Sequence, residues 1–307
     1  MKVVSLFSGA GGLDLGLIQA GHRVIWANDN DVDSCETYKL NIGDHIICKD
    51  ISKINLQEIP DCDVVVGGFP CQGFSMANML RDTDDDRNKL YKQFYRIINN
   101  KKPGYFLAEN VRGILSLDSG NIIKQIVKDF SDAGYIVKYK TFNTADFGVP
   151  QTRLRVIIAG TRKDLPENME FQFPEPTHNK ATWISVSEAL KGIPEPEDPK
   201  SKLKNHIYSK YKITNRNFTG HRETDPNKPS PTILARGNGK GGVCAIQHPG
   251  NHRRMTVRES ALVQTFPITF EFVGSMGSMY RQVGNAVPVL FGLHLGKKLE
   301  QLKSVLV

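Results

Sequence analysis

The 307-residue sequence has no long apolar run, no internal repeat and no closely spaced pair of cysteines. Its opening apolar stretch ends at Gly9, too soon for a secretory signal or a membrane span. The absence of a Cys-x-x-Cys motif argues against a zinc site or a disulfide framework. We therefore expect a cytoplasmic protein with no bound metal. The five cysteines are Cys35, Cys48, Cys62, Cys71 and Cys244.

Positive charge is concentrated in one block of the chain. The whole sequence has 40 Lys and Arg and 32 Asp and Glu, a net charge of +8. Residues 176–260 contain 15 of the basic and 7 of the acidic residues, so the remainder is neutral. This distribution indicates a neutral catalytic part and a basic part that faces a polyanion. A lysine-rich, solvated surface is the alternative.

Short apolar runs alternate with helical patterns up to about residue 170. The predicted strands are 3–7, 24–27, 46–48, 64–67, 105–108, 136–142 and 156–159. This alternation predicts an α/β fold with a doubly wound, mostly parallel sheet. Ligands of such sheets bind at the carboxyl ends of the strands. Gly9, Asp29, Asp50, Cys71 and Glu109 are predicted to lie at those ends.

The alternation stops where prolines become frequent, between Pro174 and Pro199. The basic block follows, with little periodicity and a glycine-rich loop at 235–242. After Pro267 the chain returns to Gln-Val-Gly-Asn-Ala-Val-Pro and a final apolar helix. The sequence therefore predicts one large part made of 1–172 and 278–307, and a smaller, loop-rich part at 173–277.

Cys71 is the best candidate for a nucleophile. It lies in Gly-Gly-Phe-Pro-Cys-Gln-Gly-Phe-Ser, residues 67–75, directly after a predicted buried strand. A thiol needs activation to attack at neutral pH. Glu109 ends the next strand, in Leu-Ala-Glu-Asn-Val, and a carboxyl group in a closed pocket can act as an acid. Pairing of Glu109 with an arginine is the alternative.

The first turn, Phe-Ser-Gly-Ala-Gly-Gly-Leu, allows a ligand to approach the backbone closely. Its glycine spacing differs from that of nicotinamide-dependent enzymes. Asp29 and Asp50 end the second and third strands, where they could bind the ribose and adenine of an adenosine cofactor. Each could instead be a turn or helix-cap residue.

Arg153 and Arg155 stand two apart in Gln-Thr-Arg-Leu-Arg, residues 151–155. On a strand they would face the same way. Arginines so placed suit a phosphate or a carbonyl oxygen. Structural ion pairing is the alternative.

In this order the motifs resemble those of the DNA (cytosine-5)-methyltransferases, particularly the compact bacterial enzymes of restriction-modification systems. Pro-Cys-Gln, Glu-Asn-Val, Gln-x-Arg-x-Arg and Gly-Asn-Ala-Val-Pro occur in sequence between Phe7 and Pro288. Only residues from about 175 to 250 lack a clear match. The resemblance implies that S-adenosylmethionine donates a methyl group to carbon 5 of cytosine in duplex DNA, leaving S-adenosylhomocysteine.

The resemblance also assigns roles to residues. Cys71 would attack carbon 6 of a flipped cytosine, Glu109 would protonate ring nitrogen 3, Arg155 would bind the carbonyl oxygen and Arg153 would support the site. The family's cofactor residues match Phe7, Gly9, Ala10, Gly12, Leu13, Asp29, Asn30, Asp50, Ile51, Gly68, Pro70, Leu90, Asn285 and Ala286. The chain departs from the family at Asn30, often aromatic, and at Asn88, commonly glycine.

The basic part at 173–277 corresponds to the family's target recognition domain, and 1–172 with 278–307 to its catalytic and cofactor-binding domain. Ser75 and Arg87 belong to a loop that resembles the family's closing lid. Thr232, in Pro-Thr-Ile-Leu, matches a threonine near the flipped nucleotide. The residues expected to read bases or phosphates are Arg236, Asn238 and Lys240.

The resemblance implies a monomeric, nucleoid-associated bacterial protein that acts on double-stranded DNA and is functionally paired with a restriction endonuclease. Two other interpretations remain open. One is a relative that methylates cytosine in tRNA, against which the long basic block argues. The other is an inactive DNA-binding relative, against which the presence of Cys71, Glu109 and Arg155 argues.

Overall fold

The computed structural model of the chain describes residues 1–70, 88–210, 223–235 and 246–303. Its strands are β1 (Lys2–Leu6), β2 (Arg23–Asp29), β3 (Ile46–Cys48), β4 (Val64–Gly67), β5 (Tyr105–Val111), β6 (Tyr135–Asn143) and β7 (Leu154–Arg162). They form one sheet in the order β3-β2-β1-β4-β5-β7-β6. β3 and β4 have the predicted bounds, whereas β6 and β7 extend beyond them.

The sheet is parallel from β3 to β5, and β7 runs antiparallel to both of its neighbours. This arrangement confirms the predicted mostly parallel sheet. The strand order reverses beside β1, because β2 and β3 continue to one side and β4 and β5 to the other. A crevice at such a reversal is the usual ligand site of an open α/β sheet.

The central strands are apolar and buried on both faces. Val3 and Val4 of β1, and Val64, Val65 and Val66 of β4, have no exposed surface. β-Branched residues pack well in strands that helices cover on both sides. The uninterrupted apolar runs therefore form the middle of the sheet.

Helices cover the two faces of the sheet. The helices are α1 (Gly12–Gln19), α2 (Val32–Asn41), α3 (Asn88–Lys101), α4 (Asn121–Asp132), α5 (Val186–Ala189), α6 (Val257–Val263), α7 (Met276–Asn285) and α8 (Val289–Lys303). One hydrophobic cluster joins α1, α2 and α8 to the sheet, and a second joins α3 and α4 to its other face. Within the described ranges, the helices are too short or too polar to cross a membrane.

A third hydrophobic cluster lies outside the sheet. It combines Val186 and Ile233 with residues of α6 and α7, and it includes Ala10 and Ala286. Residues from the loop-rich part at 173–277 therefore share a core with residues from both ends of the chain. Position 278, predicted as the second boundary, falls inside α7.

Helices α1 and α8 approach each other at backbone distance. A Cβ atom at Gly16 would lie 2.4 Å from the carbonyl oxygen of Val289 and 2.5 Å from the backbone nitrogen of Leu293. Neither neighbour is a side-chain end that could rotate away. Glycine at position 16 is therefore required for the close packing of the two helices.

Gly16→Ala is expected to lower the free energy of unfolding by about 1–3 kcal/mol, because it overpacks a backbone contact. Chemical denaturation would measure this change. Gly113→Ala is a matched control, since the nearest atom to its Cβ is 4.0 Å away. The control should stay within about 0.5 kcal/mol of the parent protein. Equal stability of the two variants would contradict the packing argument.

Candidate active site

A cavity of about 720 Å³ lies at the carboxyl ends of the parallel strands. This volume is typical of a small-molecule or cofactor site. Of the predicted cofactor residues, Ala10 alone does not line the cavity, and it is buried in the third cluster. The others line it: Phe7, Gly9, Gly12, Leu13, Asp29, Asn30, Asp50, Ile51, Gly68, Pro70, Leu90, Asn285 and Ala286. Glu109, Arg153 and Arg155 line the same cavity.

Asp29 connects the end of β2 to the turn that follows β1. Its Oδ2 accepts a hydrogen bond from the backbone N–H of Gly9 at 2.8 Å, and its Oδ1 accepts one from Asp31 at 2.9 Å. Burial raises the pKa of the carboxyl group, although these hydrogen bonds oppose the change. Asp29 is therefore a turn residue, as the alternative interpretation held, and also part of the cavity wall.

Asp50 caps the 3-10 helix Ile51–Lys53. Its Oδ1 accepts hydrogen bonds from the backbone N–H and the hydroxyl of Ser52, at 2.9 and 2.8 Å. These bonds lower the pKa of Asp50. Among the described residues, none donates to Oδ2. The cap thus orients a carboxylate at the cavity and leaves one oxygen available.

Glu109 and Arg155 form an ion pair where β5 ends and β7 begins. Arg155 Nε lies 2.6 Å from Glu109 Oε1, and the two side chains are 12% and 13% exposed. The antiparallel register, with Val111 opposite Arg155 and Glu109 opposite Ile157, brings these positions together. The expected pairing of Glu109 with an arginine is thus present, and it fixes the direction of the carboxylate in the cavity.

The segment before Cys71 is attached to β5. Asn110 is buried, and its Nδ2 donates a hydrogen bond to the carbonyl oxygen of Phe69 at 3.0 Å. A Cβ atom at Gly68 would lie 3.1 Å from Glu109 Oε2, so the glycine leaves room for the carboxylate. Pro70 is the last described residue of this segment and lines the cavity.

Six of the predicted site residues lie outside the described part of the chain. They are Cys71, Ser75, Arg87, Arg236, Asn238 and Lys240. Their predicted roles therefore remain predictions.

Arg153 joins three segments of the chain. Its guanidinium donates hydrogen bonds to the carbonyl oxygens of Ile233 at 3.0 Å and Gly284 at 2.9 Å, and the residue is 1% exposed. Burial, helped by the nearby charge of Arg155, lowers the pKa of Arg153 to about 9. Arg153 thus connects the entry of β7 to two distant segments through their backbone carbonyls.

Thr232 is hydrogen-bonded to the segment that leads into β7. Its hydroxyl donates a hydrogen bond to the carbonyl oxygen of Thr152 at 2.7 Å. The backbone N–H of Thr152 in turn donates to the carbonyl oxygen of Ser230 at 2.9 Å. Residues 230–233 of the loop-rich part therefore lie directly beside the cavity, because Ile233 is one of its lining residues.

Two buried glutamines, missed by the sequence reasoning, extend the same junction. Gln151 Nε2 donates to Gln264 Oε1 at 2.9 Å, and Gln151 Oε1 accepts from the backbone N–H of Ile233 at 3.0 Å. Gln264 Nε2 donates to the carbonyl oxygen of Val283 at 2.7 Å. The only available signal was the position of Gln151 in the motif that contains the two arginines.

A second ion pair closes another side of the cavity. Arg281 of α7 lies 2.8 Å from Asp31 Oδ2, and both residues line the cavity. Asp31 also caps α2 by accepting hydrogen bonds from Ser34. Burial would raise the pKa of Asp31, but the bonds from Ser34 and the Arg281 charge together lower it. The two residues are 250 positions apart, so no local sequence pattern indicates the pair.

Within the described ranges, one group of three residues brings possible metal-ligand atoms within 4.8 Å of one another: Glu195, His248 and His252. Glu195 is already paired with Arg253, whose Nε donates a hydrogen bond to Glu195 Oε2 at 2.7 Å. The same guanidinium also donates to Glu259. His248 Nδ1 accepts a hydrogen bond from the backbone N–H of Gly250 at 3.0 Å. We therefore interpret this group as an ion-pair network centred on an arginine.

Asp14, in the first turn of α1, is a buried carboxylate of the cavity wall that the sequence reasoning missed. Its Oδ1 accepts from the Ser5 hydroxyl at 2.7 Å and its Oδ2 from the Tyr38 hydroxyl at 2.8 Å. Burial raises the pKa of Asp14 to about 6, although both hydrogen bonds oppose the change. A polar residue on a short helix gives no sign of such burial.

Because of the Asp14 side chain, the free energy of unfolding is expected to fall as pH rises. A carboxyl with a pKa of 3.8 when unfolded and about 6 when folded stabilises the protein below pH 3.8 and loses that contribution as pH rises through 6. Relative to Asp14→Asn, the wild type should lose about 2.4 kcal/mol between pH 4 and pH 7.

Urea denaturation across this pH range would measure the difference between the two proteins. Glu58→Gln is the control, because Glu58 is exposed and has no ion-pair partner in the part of the chain that the structure describes, and its difference from wild type should stay constant. A constant difference for Asp14→Asn as well would contradict the expectation.

Comparison with known proteins gives one consistent result. A family model of the C-5 cytosine-specific DNA methylases matches residues 1–301. The Type II methyltransferase M.NgoFVII of Neisseria gonorrhoeae is 40% identical and covers 97% of this chain and 86% of its own. M.MthTI of Methanothermobacter thermautotrophicus is 37% identical, covering 100% and 99%. The crystal structure of the Schizosaccharomyces pombe Dnmt2 methyltransferase has the same fold, with a TM-score of 0.73, 21% identity and 98% coverage of both chains.

Proposed function

Because the chain belongs to the family of C-5 cytosine-specific DNA methylases, we propose that it methylates cytosine at one specific sequence in duplex DNA through a covalent Cys71 intermediate. It is a DNA (cytosine-5)-methyltransferase, and its relatives are Type II enzymes of restriction-modification systems. The proposal depends on one observation: a single cavity is lined both by the glycine turn with Asp29 and by the Glu109–Arg155 pair.

The wall of the cavity fits S-adenosylmethionine, which supplies an electrophilic methyl group when bound. Asp29 and Asp50 follow neighbouring strands, where their carboxylates would bind the ribose hydroxyls and the adenine amino group. Ile51 would pack against the adenine, and Asn30 replaces the aromatic residue common in the family. The turn from Phe7 to Gly12 and the Asn285–Ala286 segment would hold the methionine end.

The chemistry would begin at Cys71, directly after Pro70 at the edge of the cavity. Carbon 5 of cytosine is a poor nucleophile, so a thiolate must first add to carbon 6. Glu109 would deliver a proton to nitrogen 3 as the Cys71–carbon 6 bond forms. Carbon 5 would then take the methyl group. Loss of the carbon 5 proton to water, with return of the nitrogen 3 proton to Glu109, would release Cys71 and restore the aromatic ring.

The neighbours of Glu109 fix the position of its carboxyl group in the cavity. Arg155 holds one carboxylate oxygen at 2.6 Å, and its remaining N–H groups would bind the cytosine carbonyl oxygen. Asn110 fixes the carbonyl of Phe69, which precedes Cys71 by two residues in the sequence. Such positioning matters because small displacements of reacting groups lower rates steeply. The target base must leave the helix stack to reach these groups.

The proposed division of the chain rests on the distribution of charge. We infer a catalytic and cofactor-binding domain at 1–172 and 278–307, and a target recognition domain at 173–277 that carries the excess positive charge. Thr232 would lie near the flipped nucleotide, with Ser75 and Arg87 on the closing lid. Arg236, Asn238 and Lys240 would read bases or phosphates. We further infer a monomer that acts in the bacterial nucleoid, paired with a restriction endonuclease.

Expression in a methylation-deficient bacterial host should protect the cytosines of one short DNA motif from bisulfite conversion. Glu109→Gln should reduce the methylation rate at least about 100-fold, because it removes the acid. Glu58→Gln is the matched control, since Glu58 is exposed and outside the cavity. Uniform conversion with folded protein present would contradict DNA methylation, and tRNA would then be tested as the substrate.

Alanine at Arg236, Asn238 and Lys240 should weaken the motif preference in the same bisulfite assay.

DNA that contains 5-fluorocytosine in the methylated motif should form a denaturant-stable adduct with the protein. Fluorine at carbon 5 cannot be removed as a proton is, so the bond from Cys71 to carbon 6 persists. Cys71→Ala should form no adduct on a denaturing gel. Cys48→Ala, which changes an exposed free thiol, should form as much adduct as wild type. An adduct in the Cys71→Ala protein would refute Cys71 as the nucleophile.

A further inference from the structure

One buried carboxylate of the cavity has no cation beside it. Asp14 is 1% exposed, and two hydroxyl groups, those of Ser5 and Tyr38, are its hydrogen-bond partners. In the described ranges, no Lys, Arg or His nitrogen lies within 4.0 Å of it. An unpaired buried carboxylate is costly in its ionised form. Its persistence in a ligand cavity points to a cation supplied by the ligand.

Two of the other acidic groups of the cavity are paired with arginines, whereas Asp29 and Asp50 accept hydrogen bonds from uncharged groups. Glu109 is paired with Arg155, and Asp31 is paired with Arg281. Both oxygens of Asp29 accept backbone N–H groups. Asp14 differs because it is fully buried without a cation from the described part of the chain, whereas Asp29 is only partly buried and Asp50 is exposed. The first turn of α1 adds only the partial positive charge of a helix start.

We propose that Asp14 is the counter-charge for the cationic methionine end of S-adenosylmethionine, and that binding of this cofactor releases a proton from Asp14. The inference rests on the proposed function. It places the methionine end at the start of α1, where Gly12, Leu13 and Asp14 line the cavity in succession. The sulfonium and ammonium charges of the cofactor would stabilise the ionised carboxylate in a site that water reaches poorly.

A route for the proton is present behind Asp14. The Tyr38 hydroxyl contacts Asp14 Oδ2 at 2.8 Å and His45 Nε2 at 3.2 Å. The Asp14 proton would pass to the Tyr38 oxygen while the Tyr38 proton passes to His45, which is half-buried. The proton thus leaves on the side of the protein away from the cofactor. Tyr38 ends the exchange as the neutral phenol, hydrogen-bonded to the Asp14 carboxylate.

The charges near Asp14 define the necessary controls. Ser5 faces it from β1 and Tyr38 from α2, with His45 behind Tyr38. The other ionisable side chains that line the cavity are Asp29, Asp31, Lys49, Asp50, Glu109, Arg153, Arg155 and Arg281. These groups and the cofactor's own amino group can also exchange protons on binding. The contribution of Asp14 is therefore the difference between wild type and a variant that lacks only this carboxylate.

Isothermal titration calorimetry at pH 6, in two buffers of different ionisation enthalpy, counts the protons released when S-adenosylmethionine binds. Because the pKa of Asp14 is about 6 in the protein without cofactor, wild type should release up to about half a proton more than Asp14→Asn. The excess should vanish at pH 8. Asp14→Asn should also bind S-adenosylmethionine about tenfold more weakly at pH 8. Its loss of affinity for S-adenosylhomocysteine, which lacks the sulfonium charge, should be smaller.

Tyr38→Phe provides a second variant in case Asp14→Asn does not fold. It removes a hydrogen bond that lowers the pKa of Asp14, so the pH of maximal proton release should rise. Equal proton release by wild type and Asp14→Asn, or an unchanged pH maximum in Tyr38→Phe, would overturn the inference. Equal losses of affinity for the two cofactor forms would also overturn it. Failure of wild type to bind S-adenosylmethionine at all would instead refute the proposed cofactor.

Discussion

The buried guanidinium of Arg153 is the interaction on which the shape of the cavity depends. It stands just before β7 and holds the carbonyl oxygens of Ile233 and Gly284 together. These carbonyls belong to the recognition segment and to α7, so one side chain fixes three walls. Each hydrogen bond from a charged donor in a buried site is worth more than a neutral one. The glutamine pair Gln151–Gln264 strengthens the same junction.

The charged residues of the cavity fall into two groups: those that hold its walls together and those that would act on the base. Arg153 donates to backbone carbonyl oxygens and so maintains the walls of the cavity. Arg155 contacts the Glu109 carboxylate and so acts on a group that would meet the base. Asp14 lacks such a protein partner among the residues described. Near β5 and β7 the cavity carboxylate is therefore paired with a protein cation, whereas near α1 the buried carboxylate of Asp14 is not.

Local sequence pattern predicted the sheet and much of the site because both depend on where strands end. The valine run before Gly67 is buried as expected, and Glu109 lies at the carboxyl end of its strand. Contacts between distant segments could not be predicted. Arg281 meets Asp31 across 250 positions, and the burial of Asp14 depends on Tyr38 of another helix. Such contacts depend on how the helices pack, which the periodicity of one segment does not encode.

The cofactor cavity takes its walls from both extremes of the described chain. Residues 5–14 form one side, and residues 284–287 complete the other. Helix α8 packs directly on α1, with Gly16 at their closest approach. Contacts between such distant segments form late, because closing a long loop is entropically unfavourable. During synthesis on the ribosome, the cavity therefore stays open until α7 and α8 have emerged. A nascent chain cannot enclose a ligand in this cavity before α7 and α8 have been synthesised.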